Sequence, residues 1–257
     1  MQLLSVETWL QDFLQDHDGF KGDAQFFVYA STTCEQLQER IEEAVSKALL
    51  IHNQTYTLPE AEEGNFLVSS NFAEYAPEEL AARIAQAVFY ANTVENAALN
   101  SVEIFINKHT VTVSNSRGLH KTQVRYDAMV EAIPTYNGES QSVELYEQYN
   151  FSQFDAAAAA AEIGEKMEQV KARYEAVTPE TAIEAPVILN VQEVAQLFAT
   201  VARNLNYATV YSHANLFSKG DAIQKEPQGD KLGITMAGQV SGSIRSSCFD
   251  GDGLTLS

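Results

Sequence analysis

The sequence has few of the residues that build disulfide frameworks and nucleic-acid surfaces. Its 257 residues include two cysteines, Cys34 and Cys248, which lie far apart in the chain. Two such thiols do not make a disulfide framework or a zinc ribbon, so we expect both to be free. Only 16 Lys and Arg stand against 35 Asp and Glu, and the formal net charge is -19. This charge repels phosphate backbones, so direct binding of DNA or RNA is not expected.

Long apolar runs and a basic leader are also missing. No window approaches the roughly 18 consecutive apolar residues that a membrane helix needs. Residues 1–20 mix acidic side chains into an apolar pattern and contain no Lys or Arg, unlike a signal peptide. The sequence therefore predicts a protein of the cytoplasm that does not enter a membrane.

The common catalytic and cofactor motifs are absent from the sequence. The five histidines are isolated, and neither H-E-x-x-H nor G-x-S-x-G nor a nucleotide-binding glycine pattern occurs. His109 and His120 flank a predicted turn, where histidines are usually ordinary strand or surface residues. The acidic turn at residues 250–253 provides too few oxygen ligands for the calcium-binding loop of an EF-hand. We therefore predict no catalytic residue, no metal ligand and no cofactor in this chain.

Apolar spacing near 3.6 residues predicts several amphipathic helices. Ser31, Thr32 and Thr33 provide capping residues for one of them, and Pro77 and Asp155 stand at the start of two others. The predicted helices cover residues 3–14, 35–50, 77–92, 156–176 and 192–204.

Alternation with a period of two predicts an antiparallel meander in the middle of the chain. Its strands are expected at 102–106, 111–113 and 124–132, with a tight turn at residues 115–118 that supplies Asn and Gly. A further strand is predicted within 143–151, for a sheet of four or five strands. A strand is also predicted at 25–30, and a short buried strand at 185–189. Residues 60–63 are interpreted as a loop.

These elements predict an α+β protein. We expect an N-terminal α/β domain at 1–180, with a mostly antiparallel sheet and flanking helices. The start of a β-rich C-terminal domain is expected at 181–257, where the amino-acid composition changes and a Gly- and Ser-rich tract follows.

Four short blocks of sequence resemble the TldD/PmbA family, long called modulators of DNA gyrase. They are the helix up to Leu50 followed by Thr57-Leu58-Pro59, the hairpin turn at 115–118, the run at 184–189 and the stretch at 247–253. Asp252 departs from the pattern, since Glu is usual there. The chain resembles the PmbA-like members. The positions that match the family's turn and tail motifs are Asn115, Ser116, Gly118, Phe249, Asp250 and Gly253.

This resemblance implies a zinc peptidase system built from dimers. A TldD-type subunit of the family carries His-Glu-x-x-x-His on a helix, where two histidines and a later cysteine bind zinc and the glutamate acts as general base. The matching helix of this chain, residues 194–203, has no metal ligand. The resemblance therefore implies a non-catalytic subunit in cytoplasmic peptide proteolysis or maturation. Zinc is expected in a TldD-type partner, with peptides as substrates.

Two alternatives stay open at this point. In the first alternative, the chain is a stand-alone peptide-binding or scaffolding protein. It would then be a monomer or a homodimer without a protease partner. Family members are also substantially longer, so the 257 residues are expected to lack most of the C-terminal domain, or to be a fragment of a complete chain.

Overall fold

A computed structural model describes residues 24, 26, 28–29, 31–51, 57–218, 220–222, 226, 228–229 and 233–257. The helix predicted at 3–14 lies outside this part of the chain. The strand predicted at 25–30 is described only at Phe26, Val28 and Tyr29, which are not in a strand.

The described residues form two compact units. One combines the residues up to Tyr174 with Gly238–Ser257, and the other is Glu175–Ala237. Residues 238–257, which we call the tail segment, were expected in the second domain but fold onto the sheet of the first unit. The division into domains 1–180 and 181–257 stays a prediction.

Three helices of the first unit confirm the capping signals of the sequence. Helix α1 (Cys34–Ala48) begins with a capping box, because Thr33 accepts a hydrogen bond from the backbone of Gln36 while the Gln36 side chain accepts one from the backbone of Thr33. Helix α2 (Pro77–Tyr90) has proline at its first position. Helix α3 (Ala156–Glu175) follows Asp155, whose carboxylate accepts the N–H groups of two alanines in its first turn.

Within the described residues the sheet has five strands and is mostly antiparallel, as expected. They are β1 (Glu63–Leu67), β2 (Ala97–Ser114), β3 (His120–Asn137), β4 (Ser142–Glu144) and β5 (Glu147–Phe151). Strand β3 is central: β2 pairs with it along one edge, while β4, β5 and the parallel β1 pair along the other.

Two details of the predicted sheet are wrong. The turn expected between residues 106 and 111 does not form, because β2 runs through it and stays paired with β3 from Val102 to Ser114. Strand β1 lies partly where a loop was predicted, because pairing with β3 rather than local propensity makes it extended. The strand predicted within 143–151 is present as the two short strands β4 and β5.

The main core lies between one face of the sheet and helices α2 and α3. Ala128, Val130 and Ala132 alternate along β3 toward the helices and are fully buried. They pack with a stripe from each helix, which consists of Leu80, Ile84 and Val88 in α2 and Ile163 and Met167 in α3. Residues of opposite parity on β3, including Lys121 and Gln123, therefore face the other side of the sheet.

The described part of the second unit contains two helices, α4 (Val191–Asn204) and α5 (Tyr207–Tyr211). Helix α4 confirms the predicted helix and is capped by Asn190, which accepts the Glu193 N–H at 3.0 Å. The strand predicted at 185–189 is wrong: these residues are in no strand, and Ile188 is 98% exposed. A strand needs a neighbour for its backbone groups, and no strand in the described residues pairs with this run.

Candidate functional site

The most organised polar region of the first unit lies where the β2–β3 turn meets the tail segment. We call it the junction, and it comprises residues 113–125 with residues 244–255. Two of the four blocks that carried the family resemblance, at residues 115–118 and 247–253, are part of it, although about 130 residues separate them in sequence.

The turn between β2 and β3 is held by the side chain of Asn115. Its Oδ1 accepts the backbone N–H groups of Arg117 at 2.9 Å and Leu119 at 3.1 Å, and its Nδ2 donates to the Pro59 carbonyl at 2.9 Å. The Gly118 N–H donates to the Asn115 carbonyl at 3.2 Å, and the φ of Gly118 is 90°. This left-handed conformation explains the glycine in the motif.

The tail segment repeats this turn at Asp250. Its Oδ1 accepts the N–H groups of Asp252 at 3.0 Å and Leu254 at 2.9 Å. The Gly253 N–H donates to the Asp250 carbonyl at 3.1 Å, and the φ of Gly253 is 87°. In both turns the backbone N–H of the first residue donates to the carbonyl of the fifth, at 3.1 and 3.0 Å. Asn115 and Asp250 therefore have the same structural role.

The equivalence of the two turns gives a first prediction. Asp250→Asn is expected to change the free energy of unfolding by less than about 0.5 kcal/mol, because an amide oxygen holds the turn at Asn115 equally well. Asp250→Ala removes both acceptor contacts and is expected to cost about 1–2 kcal/mol. Urea unfolding of the two variants beside the parent measures the difference. Equal losses in both variants would show that the acceptor oxygen is not what holds the turn.

The two turns pack directly on each other. An ideal Cβ placed on Gly253 would lie 2.3 Å from Cδ2 of Leu119, so these residues are in close contact. Beside them Phe249 is buried and meets Phe66 of β1 edge to face, with ring centroids 5.8 Å apart. Val68, Val113 and Cys248 complete this small apolar cluster. The tail segment therefore closes a second core on the side of the sheet opposite α2 and α3.

Alternate side chains of β3 bind the backbone of the tail segment. Lys121 is only 1% exposed, and its Nζ donates to the Gly253 carbonyl at 2.9 Å and to Thr255 Oγ1 at 3.1 Å. Gln123 accepts the Cys248 N–H at 2.8 Å and donates to Ser247 Oγ at 2.8 Å. These side chains of β3 therefore provide hydrogen-bond partners for backbone groups of the tail segment, which is not paired with the sheet as a strand.

The charge of Lys121 is balanced locally. Its Nζ lies 2.7 Å from Oε2 of Glu62, a side chain that is about half exposed. The ammonium also lies 5.8 Å from the centroid of the Phe66 ring. All three ammonium protons therefore have oxygen acceptors, which permits this burial.

Cys248 is a buried thiol, while Cys34 is exposed, and both are free as predicted. Burial raises the pKa of the Cys248 thiol. Because the thiolate is the reactive species, the native protein is expected to show one fast thiol, Cys34, and one strongly protected thiol, Cys248. Labelling with a thiol reagent in native buffer and in denaturant, followed by peptide mapping, checks this. Rapid modification of Cys248 in native buffer would mean that the tail segment does not stay on the sheet.

The junction brings together all six motif positions. Asn115, Gly118, Asp250 and Gly253 form the two turns, Phe249 is in the small core, and Ser116 lies at the exposed tip of the hairpin. Lys121, Gln123 and Glu62 were missed by sequence reasoning, although polar residues at 121, 123 and 125 share one face of a strand and so provide a weak signal.

The two histidines near the hairpin do not come together. His109 is opposite Arg125 and its Nε2 contacts Oδ2 of Asp127 at 2.5 Å, whereas His120 is opposite Ser114 and contacts its hydroxyl at 2.8 Å. The five-residue offset along β2 corresponds to about 17 Å. Each histidine has its own local partner.

The zinc of the family is not matched by a donor set in the described residues. No three His, Cys, Asp or Glu side chains among them are grouped as metal ligands. Helix α4 contributes Glu193 as its sole residue of these types. No chemical step is therefore assigned to zinc on this chain.

Comparison with known proteins gives a likeness among solved structures. No protein-family profile matches the sequence. No curated protein matches it either. Among solved structures, the crystal structure of TldE from Thermococcus kodakarensis matches 91% of this chain with a TM-score of 0.58 and 18% sequence identity. The chain has a TldE-type fold.

The TldE-type fold confirms the mixed α+β class and the fold implied by the resemblance to the TldD/PmbA family. The match spans 53% of the TldE chain, so this sequence covers about half the length of that structure. No helix in the described part of the chain is long and apolar enough to cross a membrane.

Proposed function

We propose that this chain is a non-catalytic, PmbA-like subunit that works with a TldD-type zinc subunit in the proteolysis or maturation of peptides in the cytoplasm. The TldE-type fold over 91% of the chain carries the proposal. The four sequence blocks support it independently, since they occur in the family's order.

The helix that corresponds to the family's zinc helix supports a non-catalytic role for this chain. Activation of a zinc-bound water requires nitrogen, sulfur or carboxylate ligands and a base to accept the proton. Residues 194–203 contain neither histidine nor cysteine nor a carboxylate. Under the proposal, zinc and catalysis belong to the TldD-type subunit.

The proposed contribution of this chain is a rigid scaffold beside that subunit. The junction ties the long β2–β3 hairpin to the tail segment through the buried Lys121 and Gln123. A fixed hairpin presents its strand edge in one orientation, which suits backbone pairing with an extended peptide or a neighbouring chain. The net charge of -19 disfavours nucleic acid as a partner.

Co-purification with metal analysis tests this proposal. The tagged chain is expressed with a TldD-type subunit, the complex is isolated, and zinc and peptide cleavage are measured for the complex and for each chain alone. The expected result is a stable complex whose zinc follows the TldD-type subunit, with no cleavage by this chain alone. Stoichiometric zinc on the isolated chain would overturn it. Peptide binding without such a complex would favour the stand-alone binding protein.

A further inference from the structure

A groove lies between helices α2 and α3 of the first unit. Its volume is about 330 Å³, which is within the range of sites that bind small ligands. Among the described residues it is lined by Arg83, Gln86, Ala87 and Tyr90 of α2, by Phe154, and by Ala156, Ala157 and Ala160 of α3. Most of this lining is apolar or aromatic, so the groove suits a mainly apolar ligand.

The alanine run of the sequence keeps this space open. Residues 156–161 are all alanine, the strongest helix former, so the first turns of α3 carry side chains that end at Cβ. Ala159 is buried in the core, whereas the lining alanines of α3 lie beside α2. Any larger side chain at the lining positions would occupy the groove.

One aromatic wall of the groove is held in a fixed position. The Phe154 N–H donates to Oδ1 of Asn71 at 2.9 Å, and the Phe154 carbonyl accepts a hydrogen bond from Nδ2 of Asn71 at 3.0 Å. The Phe154 ring meets the Tyr75 ring edge to face, with centroids 6.2 Å apart. A wall that is already ordered reduces the conformational entropy lost when a ligand binds.

Arg83 is the only charged side chain among the described residues of the lining. Its guanidinium lies over the Tyr75 ring, 5.3 Å from the centroid, and its Nε donates to Oε1 of Glu79 at 2.9 Å. Both side chains of this ion pair are about half exposed, so the pair is weak. Glu79 is the only acceptor for Arg83 among the described residues, and most of the guanidinium N–H groups are therefore available to a ligand.

We propose that this groove binds the C-terminal residue of a peptide that ends in a large apolar side chain. The carboxylate binds Arg83, and the side chain lies against Phe154 and the alanines of α3. Charge complementarity selects this ligand, because the lining is cationic in a chain whose net charge is -19, and a guanidinium binds a carboxylate through a pair of parallel hydrogen bonds. A terminal residue carries the carboxylate and the apolar group together, as a groove of this size requires. The choice of a peptide as their source rests on the proposed function.

An NMR titration of the full isotope-labelled chain tests the site. The probe is an acetylated tripeptide of two alanines and a C-terminal phenylalanine, and the same peptide with a C-terminal amide is its control. The free acid is expected to shift the backbone amide signals of Ala157 and Ala160 with a dissociation constant of about 1 mM or below, and the amide to bind about tenfold more weakly. The negative net charge repels the acid elsewhere, so a preference for the acid requires a local cation.

Two pairs of variants locate the ligand. Ala157→Leu fills the groove and is expected to raise the dissociation constant of the acid about tenfold. Its control is Ala158→Leu, because Ala158 is also exposed in the first turn of α3 but does not line the groove. Arg83→Met is expected to abolish the difference between acid and amide, since methionine cannot donate to a carboxylate. Its control is Arg40→Met, because Arg40 also pairs with a glutamate of its own helix, Glu43.

Each outcome decides the proposal. Saturable shifts at the groove, with a preference for the acid that Arg83→Met removes and a loss confined to Ala157→Leu, support it. No saturable shift at the groove up to about 10 mM peptide, equal binding of acid and amide, or an equal loss in Ala158→Leu overturns it. Free phenylalanine is a further probe, and binding as tight as that of the peptide would overturn the assignment to peptide ends in favour of free amino acids. All of these measurements use this chain alone, so their failure is distinguishable from failure of the proposed complex to form or to cleave peptides.

Discussion

Replacing Gly253 by alanine is expected to lower the free energy of unfolding of the first unit by about 3 kcal/mol. Its φ of 87° disfavours any residue with a Cβ by about 1–2 kcal/mol. The new methyl group would also lie 2.3 Å from Cδ2 of Leu119, and relieving such overpacking costs about 1–3 kcal/mol. Equilibrium urea unfolding followed by circular dichroism measures the loss.

Gly251 provides a matched control two residues away. It has no positive φ, and a Cβ at this position would meet nothing within 4 Å. Gly251→Ala is therefore expected to change stability by less than about 0.5 kcal/mol. If both variants lose the same amount, the close contact between the two turns is not what makes glycine necessary at position 253.

Lys121→Met is expected to cost about 2–3 kcal/mol, although methionine fills most of the space of the lysine stem. The substitution leaves the buried Gly253 carbonyl and the Thr255 hydroxyl without their donor. An unsatisfied buried acceptor costs about 1–3 kcal/mol. Glu62 contributes less to the loss, because its half-exposed carboxylate returns to water.

A second measurement shows where the effect of Lys121→Met is located. If Lys121 holds the tail segment on the sheet, Cys248 should react with thiol reagents faster in this variant while Cys34 is unchanged. Lys108→Met is the control, since Lys108 is exposed and contacts only the face of Tyr126 among the described aromatic rings. Unchanged protection of Cys248 in Lys121→Met would contradict the proposed role of this lysine.

The helices were predictable because their signals are local. Thr33 with Gln36 forms a capping box, and Asp155 precedes a run of alanines, so a few neighbouring residues determine where each helix begins. The tight turn at Asn115 was predictable for the same reason, because it needs a side-chain oxygen acceptor at its first residue and a glycine three residues later.

The errors occur where distant residues determine the structure. Strand β1 contains Gly64 and Asn65, which are poor strand formers, and it becomes extended through pairing with β3. The interruption expected at residues 107–110 disappears because a polar side chain on an edge strand can simply face solvent.

Burial of Lys121 could not be predicted from its surroundings in sequence. A charged residue in an alternating strand normally faces water. Here the tail segment covers it from 132 positions away in sequence. For the same reason the six motif positions could be named from the sequence, but their meeting in one junction could not.

The proposed subunit role is tested most directly by a titration. Increasing amounts of this chain are added to a fixed amount of a TldD-type zinc subunit, and cleavage of an unfolded peptide is followed. The proposal predicts no cleavage by this chain alone, and a rate that rises with added chain and saturates near one chain per zinc subunit. A rate that does not respond to the chain, or cleavage by the chain alone, would contradict it.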